Sequence, residues 1–366
     1  MAILWINLAI VFIFSFLSRV FVRPVDINQT ITDYPKPNKI FVFLVMACLV
    51  IISGLRTNIG DTYFYKFSYE RNDFTWEQVS SGNDIGFGIL QMILKNFSED
   101  PQTLIFTTAL ITNILIIIVF YNYSRLFEMS TFIYITGGTH LVSMNGMRQV
   151  LAAAICFAAI KFLMNRNFVK YALVIILAST IHFSALIMLP VYFLVHLKAW
   201  SKYTFLMVAA SIAIVFSFET FTSILFSALE DTQYSEYSTF DEGGANVIRV
   251  AVSAAPLFIA YVGREKLRQI FPKIDYIVNM SILGLLFMII STQSWIFARV
   301  SIYFNLYQLI LVSWILEAFT KKDQKFLYYC IVICYLAYYY YENVISLSIN
   351  YRSPILESLL NMEVKK

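Results

Sequence analysis

The chain has 366 residues, 59% of them hydrophobic and 14% charged, with a net charge of +4 and a mean hydropathy of +0.69. Soluble domains carry about 25% charged residues, so this composition excludes a soluble globular enzyme and indicates a polytopic membrane protein. The basic residues flank apolar runs and form no patch, which excludes a nucleic-acid-binding surface.

In chain order, apolar runs predict spans at roughly 3–22, 39–55, 103–121, 130–144, 147–163, 170–196, 203–228, 247–262, 276–292, 299–319 and 325–345. The fold class is therefore all-α, one transmembrane domain over residues 1–366 with about 11–12 transmembrane or half-membrane helices. The first run lacks a basic leader and a small-residue cleavage site, and Arg19 and Arg23 follow it, so it reads as a retained helix. Several runs are shorter than a full span, which suits helices packed around a cavity. Cys48, Cys156, Cys330 and Cys334 all lie in apolar runs and read as buried small hydrophobes.

Positive charge clusters in alternate loops: Arg19, Arg23, Lys36 and Lys39; Arg125; Lys161, Arg166 and Lys170; Lys198 and Lys202; Arg264, Lys266, Arg268 and Lys273; Lys321, Lys322 and Lys325. These loops are assigned to the cytoplasm. Lys170 and Lys198 flank one run, yet a single span would place them on opposite sides. Two short helices turning near His182 remove the conflict and put His182 at an outer tip. The outer side then receives the loop 56–101, the turn 145–147, the tip 182–184, the acidic loop 229–246 and the turn 293–298. Within the first of these, Phe87, Leu90, Leu94 and Phe97 have helical spacing, so Asp84–Phe97 reads as an interfacial helix.

Four polar constellations fall on that side. Arg56 and Asp61 lie in Gly54-Leu55-Arg56-Thr57-Asn58-Ile59-Gly60-Asp61-Thr62-Tyr63-Phe64-Tyr65, where glycines allow a turn bringing the two charges together. Arg148 and Gln149 open a helix, whose N-terminal dipole attracts anions. His182 and Ser184 form the third group, and Arg299, with Tyr303 and Asn305 beyond it, the fourth. Three arginines at one face match phosphate oxygens in bidentate fashion, and a lipid diphosphate is the anion such a site would meet. Each group has a plainer reading: Arg56 and Arg148 as interfacial anchors, His182 as a turn cap, Asp61 as the partner of Arg56. His140 and His196 read as structural, and Tyr338–Tyr341 as an aromatic belt.

The strings G-L-R-x3-G-D-T-x2-Y at 54–65, G-F-x2-L at 86–90, M-R-Q-x-L-A at 147–152 and A-S-x-I-H-F-S-A-L at 178–186 occur in order, followed by Arg299, Tyr303 and Phe304. Together, over roughly residues 40–310, they resemble the EpsG family of bacterial polysaccharide polymerases, related to Wzy O-antigen polymerases. The resemblance implies a GT-C-like glycosyltransferase in the bacterial inner membrane, with a periplasm-facing cavity. It would move a growing glycan from undecaprenyl diphosphate onto a lipid-linked repeat unit. By position, His182 or Asp61 is the general base. Arg148 and Arg299 take the diphosphate, Arg56 a donor or acceptor phosphate, with Gln149, Tyr65, Ser184 and Tyr303 also contacting substrate. No cofactor or metal is expected, and a chain-length regulator is an expected partner. A lipid-linked oligosaccharide flippase, or a ligase or acyltransferase with another acceptor, are the competing readings.

Overall fold

The computed structural model describes residues 1–22, 34–228 and 243–360, and these contain helices and no strand. The first helix, α1 (Ala2–Val20), packs against α2 (Lys39–Gly54), which Asn38 caps by accepting a hydrogen bond from Ile40 N at 2.9 Å. The segment after α2 folds into α3 (Thr62–Arg71), α4 (Trp76–Ser80) and α5 (Ile85–Phe97), so the loop expected at 56–101 carries three helices. On α5 Phe87 is buried, as the helical spacing predicts, whereas Phe97 is exposed and does not share the packed face.

Next, α6 (Gln102–Tyr123) crosses the bundle, and the run expected at 130–144 divides into α7 (Phe127–Thr136) and α8 (Thr139–Asn145) around Gly137-Gly138. Helices α9 (Met147–Ala158) and α10 (Ile160–Met164) follow after a bend at Gly146. The run 170–196 breaks at His182 into α11 (Phe168–Ile181), a 3-10 turn over Phe183–Ile187, and α12 (Met188–Val195). Phe168 at the start of α11 packs on Tyr192 and Phe193 near the end of α12, and Tyr171 Oη donates to Met188 O at 3.1 Å. The two helices are thus antiparallel, the hairpin that the Lys170–Lys198 conflict required.

The remaining helices are α13 (Lys202–Phe216), α14 (Phe218–Ala228), α15 (Val247–Val262), α16 (Arg264–Ile270), α17 (Ile274–Ile290), α18 (Ile296–Ile315), α19 (Lys321–Tyr340) and α20 (Pro354–Leu359). Apolar on nearly every side, α17 and α18 are buried along most of their length and pack together, with Phe287 stacked on Phe304 at 5.6 Å. A turn of π-helix, Tyr341–Ser346, continues α19. The acidic loop expected at 229–246 lies outside the described residues apart from 243–246. There Ala245 N donates to Ser291 O at 2.7 Å and Trp295 N to Gly243 O at 3.0 Å, fastening this strip to the turn before α18.

Among the described residues, four helical stretches are long and apolar enough to cross a membrane, α9 and α10 counting as one, and six spans result if the bent pairs α13–α14 and α15–α16 each count as one. Several shorter apolar helices, including α2, α11 and α17, complete the bundle, so the chain is a polytopic membrane protein whose helices are in part shorter than a full span.

Candidate functional site

The break at His182 is where the site begins. Ending α11 and restarting as a 3-10 turn leaves backbone N–H groups without helical partners. Asp84, just before α5, takes one of them: its Oδ1 accepts from Phe183 N at 3.1 Å. His182 Nδ1 faces the next, Ser184 N, at 3.4 Å. The other oxygen of Asp84, Oδ2, lies 2.9 Å from Arg148 Nη1, so one carboxylate ties the start of α9 to the His182 turn. Close packing lets Asp84 reach that far. A Cβ on Gly86 would stand 2.2 Å from Thr180 Oγ1, so only glycine admits α5 this close to α11.

A hydroxyl chain runs on from His182. Ser184 Oγ is 2.7 Å from His182 Nδ1 and 2.8 Å from Tyr303 Oη, and Tyr303 is fully buried on α18. Arg299 stands one helical turn before Tyr303, with its guanidinium over the Trp295 ring at 4.4 Å from the centroid. Gln149 Nε2 donates to the Arg299 carbonyl at 3.0 Å and so holds the start of α18 against α9. Arg148 Nε also donates to Tyr65 Oη at 3.3 Å.

His182, Arg148, Gln149, Ser184, Tyr65, Arg299 and Tyr303 therefore form one connected group, although they come from four separate parts of the chain. His182 stands in the extended break, outside the helices. Burial pushes its imidazole down to about 4; Asp84 opposes that shift, while Arg148 and Arg299 reinforce it. The ring is neutral at neutral pH, the form that can accept a proton.

Two cavities flank this group. The larger, about 490 Å³, is lined by Gln149, Arg299, Trp295 and Asn305 and also by Arg249, Tyr338, Glu342 and Asn343. The smaller, about 370 Å³, is lined by Asp84, Phe87, Gln91 and Arg148. His182 lines neither, while Arg148 lines the smaller and Arg299 the larger, and both arginines act electrostatically on it.

With this geometry in place, the comparison with known families is decisive: the model of the EpsG family matches residues 39–353, most of the chain. The chain belongs to the EpsG family. No curated protein and no solved structure matches it significantly. The EpsG assignment makes it a membrane protein of polysaccharide biosynthesis, in a family of polymerase-like glycosyltransferases.

Two EpsG-motif residues depart from expectation. Arg56 is buried, 1% exposed, and lines neither cavity. Its Nε donates to Thr62 Oγ1 at 3.0 Å, its Nη1 to the Ser53 carbonyl, and its Nη2 faces Met147 Sδ at 3.8 Å. Asp61 is not among these partners. The turn that was to join the two charges instead points Arg56 inward, where it clamps α2, α3 and the start of α9. Burial lowers its pKa to about 10, which still leaves it cationic. Asp61 precedes α3, and its backbone N donates to Asn145 Oδ1 at 3.1 Å. The adjoining Gly60, at φ +52°, lies under the same Asn145 side chain. Ile59 and Gly60 of this string line the larger cavity, whereas Arg56 does not.

His140 and His196 are structural, as expected, with ring nitrogens facing the Leu49 carbonyl and the Tyr192 and Leu163 carbonyls. Tyr338 is not a simple belt residue, because it lines the larger cavity. Asp84 is the residue that sequence reasoning missed. Its signal was its place at the N-terminus of the apolar helix that carries the G-F-x2-L string, two residues before Gly86.

Proposed function

We propose that the protein is a Wzy-type polymerase, transferring a growing glycan from undecaprenyl diphosphate onto the terminal sugar of a lipid-linked repeat unit at the outer face of the bacterial inner membrane. One observation carries the reading. A buried histidine held in a hydroxyl chain feels the charge of two arginines, Arg148 lining one cavity and Arg299 lining another.

In this reaction the acceptor hydroxyl oxygen attacks the anomeric carbon of the donor sugar, and the bond from that carbon to the diphosphate oxygen breaks. Negative charge develops on the departing lipid diphosphate, and Arg148 and Arg299 are the groups that meet it. The acceptor's proton passes to His182. Because Nδ1 accepts from Ser184 N at 3.4 Å, it carries the ring's lone pair: Tyr303 Oη donates to Ser184 Oγ at 2.8 Å, Ser184 Oγ donates to Nδ1 at 2.7 Å, and Nδ1 is the base, taking Ser184's proton as Ser184 takes the acceptor's. A diphosphate is a good leaving group once its charge is met, so this chemistry works without a metal. Asp61, the other candidate base, is remote from the hydroxyl chain and is not assigned a catalytic role. The polar groups gather at one end of the bundle, which favours transfer over flipping, since a flippase needs cations reachable from both leaflets.

Surface polysaccharide from a deletion strain tests the assignment. Loss of the long ladder with single repeats still delivered supports the polymerase. Disappearance of single repeats as well, with lipid-linked units accumulating inside, would instead identify a transporter.

A further inference from the structure

The larger cavity, which Arg299 lines, has a second polar cluster that the reaction as described leaves unused. The π-helical turn Tyr341–Ser346 closes with Leu347 N donating to Glu342 O at 2.9 Å and presents Glu342 and Asn343 side by side. Turns of this kind are uncommon and recur at functional sites. Both residues belong to the cavity's lining, and both are nearly enclosed, 5% and 1% exposed.

Only half of their hydrogen-bonding capacity is used. Glu342 Oε1 takes Arg249, with Nε at 2.7 Å and Nη2 at 2.5 Å, and Asn343 Nδ2 donates to the Tyr339 carbonyl at 3.0 Å. Glu342 Oε2 and Asn343 Oδ1 have no hydrogen-bond partner among the described residues. A buried acceptor without a donor costs about 1–3 kcal/mol, so two such oxygens on adjacent residues at the edge of one cavity point to donors that arrive from outside the fold.

We infer that Glu342 and Asn343 form a hydroxyl-binding subsite for a sugar of the lipid-linked glycan, an inference that rests on the polymerase reading. Sugar O–H groups supply the donors that these two oxygens lack. Because Arg249 already pairs with Glu342, this cluster offers no net charge and suits an uncharged sugar, whereas Arg299 is cationic. Tyr335, Tyr338 and Trp295 give the cavity aromatic surface against which the C–H faces of a sugar ring pack. The cavity thus combines two recognitions, charge at Arg299 and hydroxyls at Glu342 and Asn343.

Binding to the purified full chain in lipid nanodiscs tests this with two probes. One is farnesyl diphosphate, which carries no sugar; the other is the lipid-linked oligosaccharide extracted from deletion cells. The variants are Glu342→Gln, which replaces an orphan acceptor by a donor while keeping an oxygen for Arg249, and Asn343→Ala. Each is expected to weaken the oligosaccharide about tenfold and leave farnesyl diphosphate unchanged, while Arg299→Ala weakens both. Thermal midpoints establish folding, and Glu342→Gln decides if Asn343→Ala does not fold. Unchanged oligosaccharide affinity overturns the subsite, as does equal loss of both probes in a folded variant, which would make the cluster a support of the anion site. If the wild-type chain binds neither probe, the polymerase reading itself fails and takes the subsite with it.

Discussion

Replacing Asp84 tests whether the site is held together as described. Its carboxylate accepts from Arg148 Nη1 at 2.9 Å and from Phe183 N at 3.1 Å, so Asp84→Ala removes both ties at once. In a medium of effective dielectric about 20, a pair at this separation attracts by roughly 6 kcal/mol before desolvation is counted. The Arg148 side chain is 42% exposed, and solvent screening reduces the net contribution to about 1 kcal/mol. Leaving the Phe183 N–H without its acceptor adds about 1 kcal/mol more. Together, about 2 kcal/mol lowers the docked population of the His182 turn relative to the undocked one roughly 30-fold, at about 1.4 kcal/mol per tenfold. Polymer output should fall by about one to two orders of magnitude, since small misplacements of a reacting group cost on the order of 100-fold. Asp84→Asn should rescue poorly, because Arg148 and Phe183 N use different oxygens and one of these becomes an NH2 group that sets donor against donor. The assay is ladder yield in a complemented deletion strain, normalised to membrane protein level by immunoblot. A full-length ladder at wild-type yield from Asp84→Ala would refute the positioning role. A readout that mere destabilisation does not move is the acid limb of kcat/KM. Asp84 raises the pKa of His182, so its loss shifts that limb to lower pH.

Two further outcomes follow from the same contacts. Gly86→Ala places a methyl 2.2 Å from Thr180 Oγ1 and should destabilise the protein by about 1–3 kcal/mol, read as a lower thermal midpoint, with Thr180→Ala partly restoring it; an unchanged midpoint would contradict the close packing of α5 on α11. His182 is held down to about 4 by burial and by the flanking guanidinium groups, so in the free protein it stays neutral until the pH falls to that region. A bound diphosphate offsets the arginines and raises the imidazole pKa, so the acid limb of kcat should lie at higher pH than that of kcat/KM. Coincident limbs would sink the assignment of His182 as base.

The hairpin at His182 was legible in the sequence because cations and histidine are costly in hydrocarbon, and the flanking lysines fixed which ends belong together. For the same reason Arg148, His182 and Arg299 stood out before any coordinates. Asp84 did not, since a carboxylate in a polar loop is unremarkable, and its partners lie 64 and 99 residues away. Arg56 misled in the opposite direction. Local spacing pointed to Asp61, while the deciding contacts came from Thr62, Ser53 and the distant Met147. Tyr338 looked like a belt residue because tyrosine clusters usually mark interfaces, yet helix packing turned it into a cavity wall. Glu342 and Asn343 fell in the same polar stretch after that cluster, and only the π-helical turn reveals their orphaned oxygens.

The way these groups are fastened bears on how the site works. Gln149 bonds the Arg299 carbonyl, so the cationic wall is fixed between α9 and α18, two of the more buried helices. The His182 turn has weaker moorings: one carboxylate shared with a half-exposed arginine, and one serine hydroxyl shared with Tyr303. On the proposed assignment, a fixed backbone at Arg299 keeps its charge prepared before the substrate arrives, which is where such stabilisation is most effective. A base on a lightly held turn can adjust to acceptor hydroxyls at slightly different positions, as a polymerase must when its growing chain changes length at every cycle. Asp84 limits that adjustment through its two hydrogen bonds, one with Arg148 at the start of α9 and one with the Phe183 N–H of the turn.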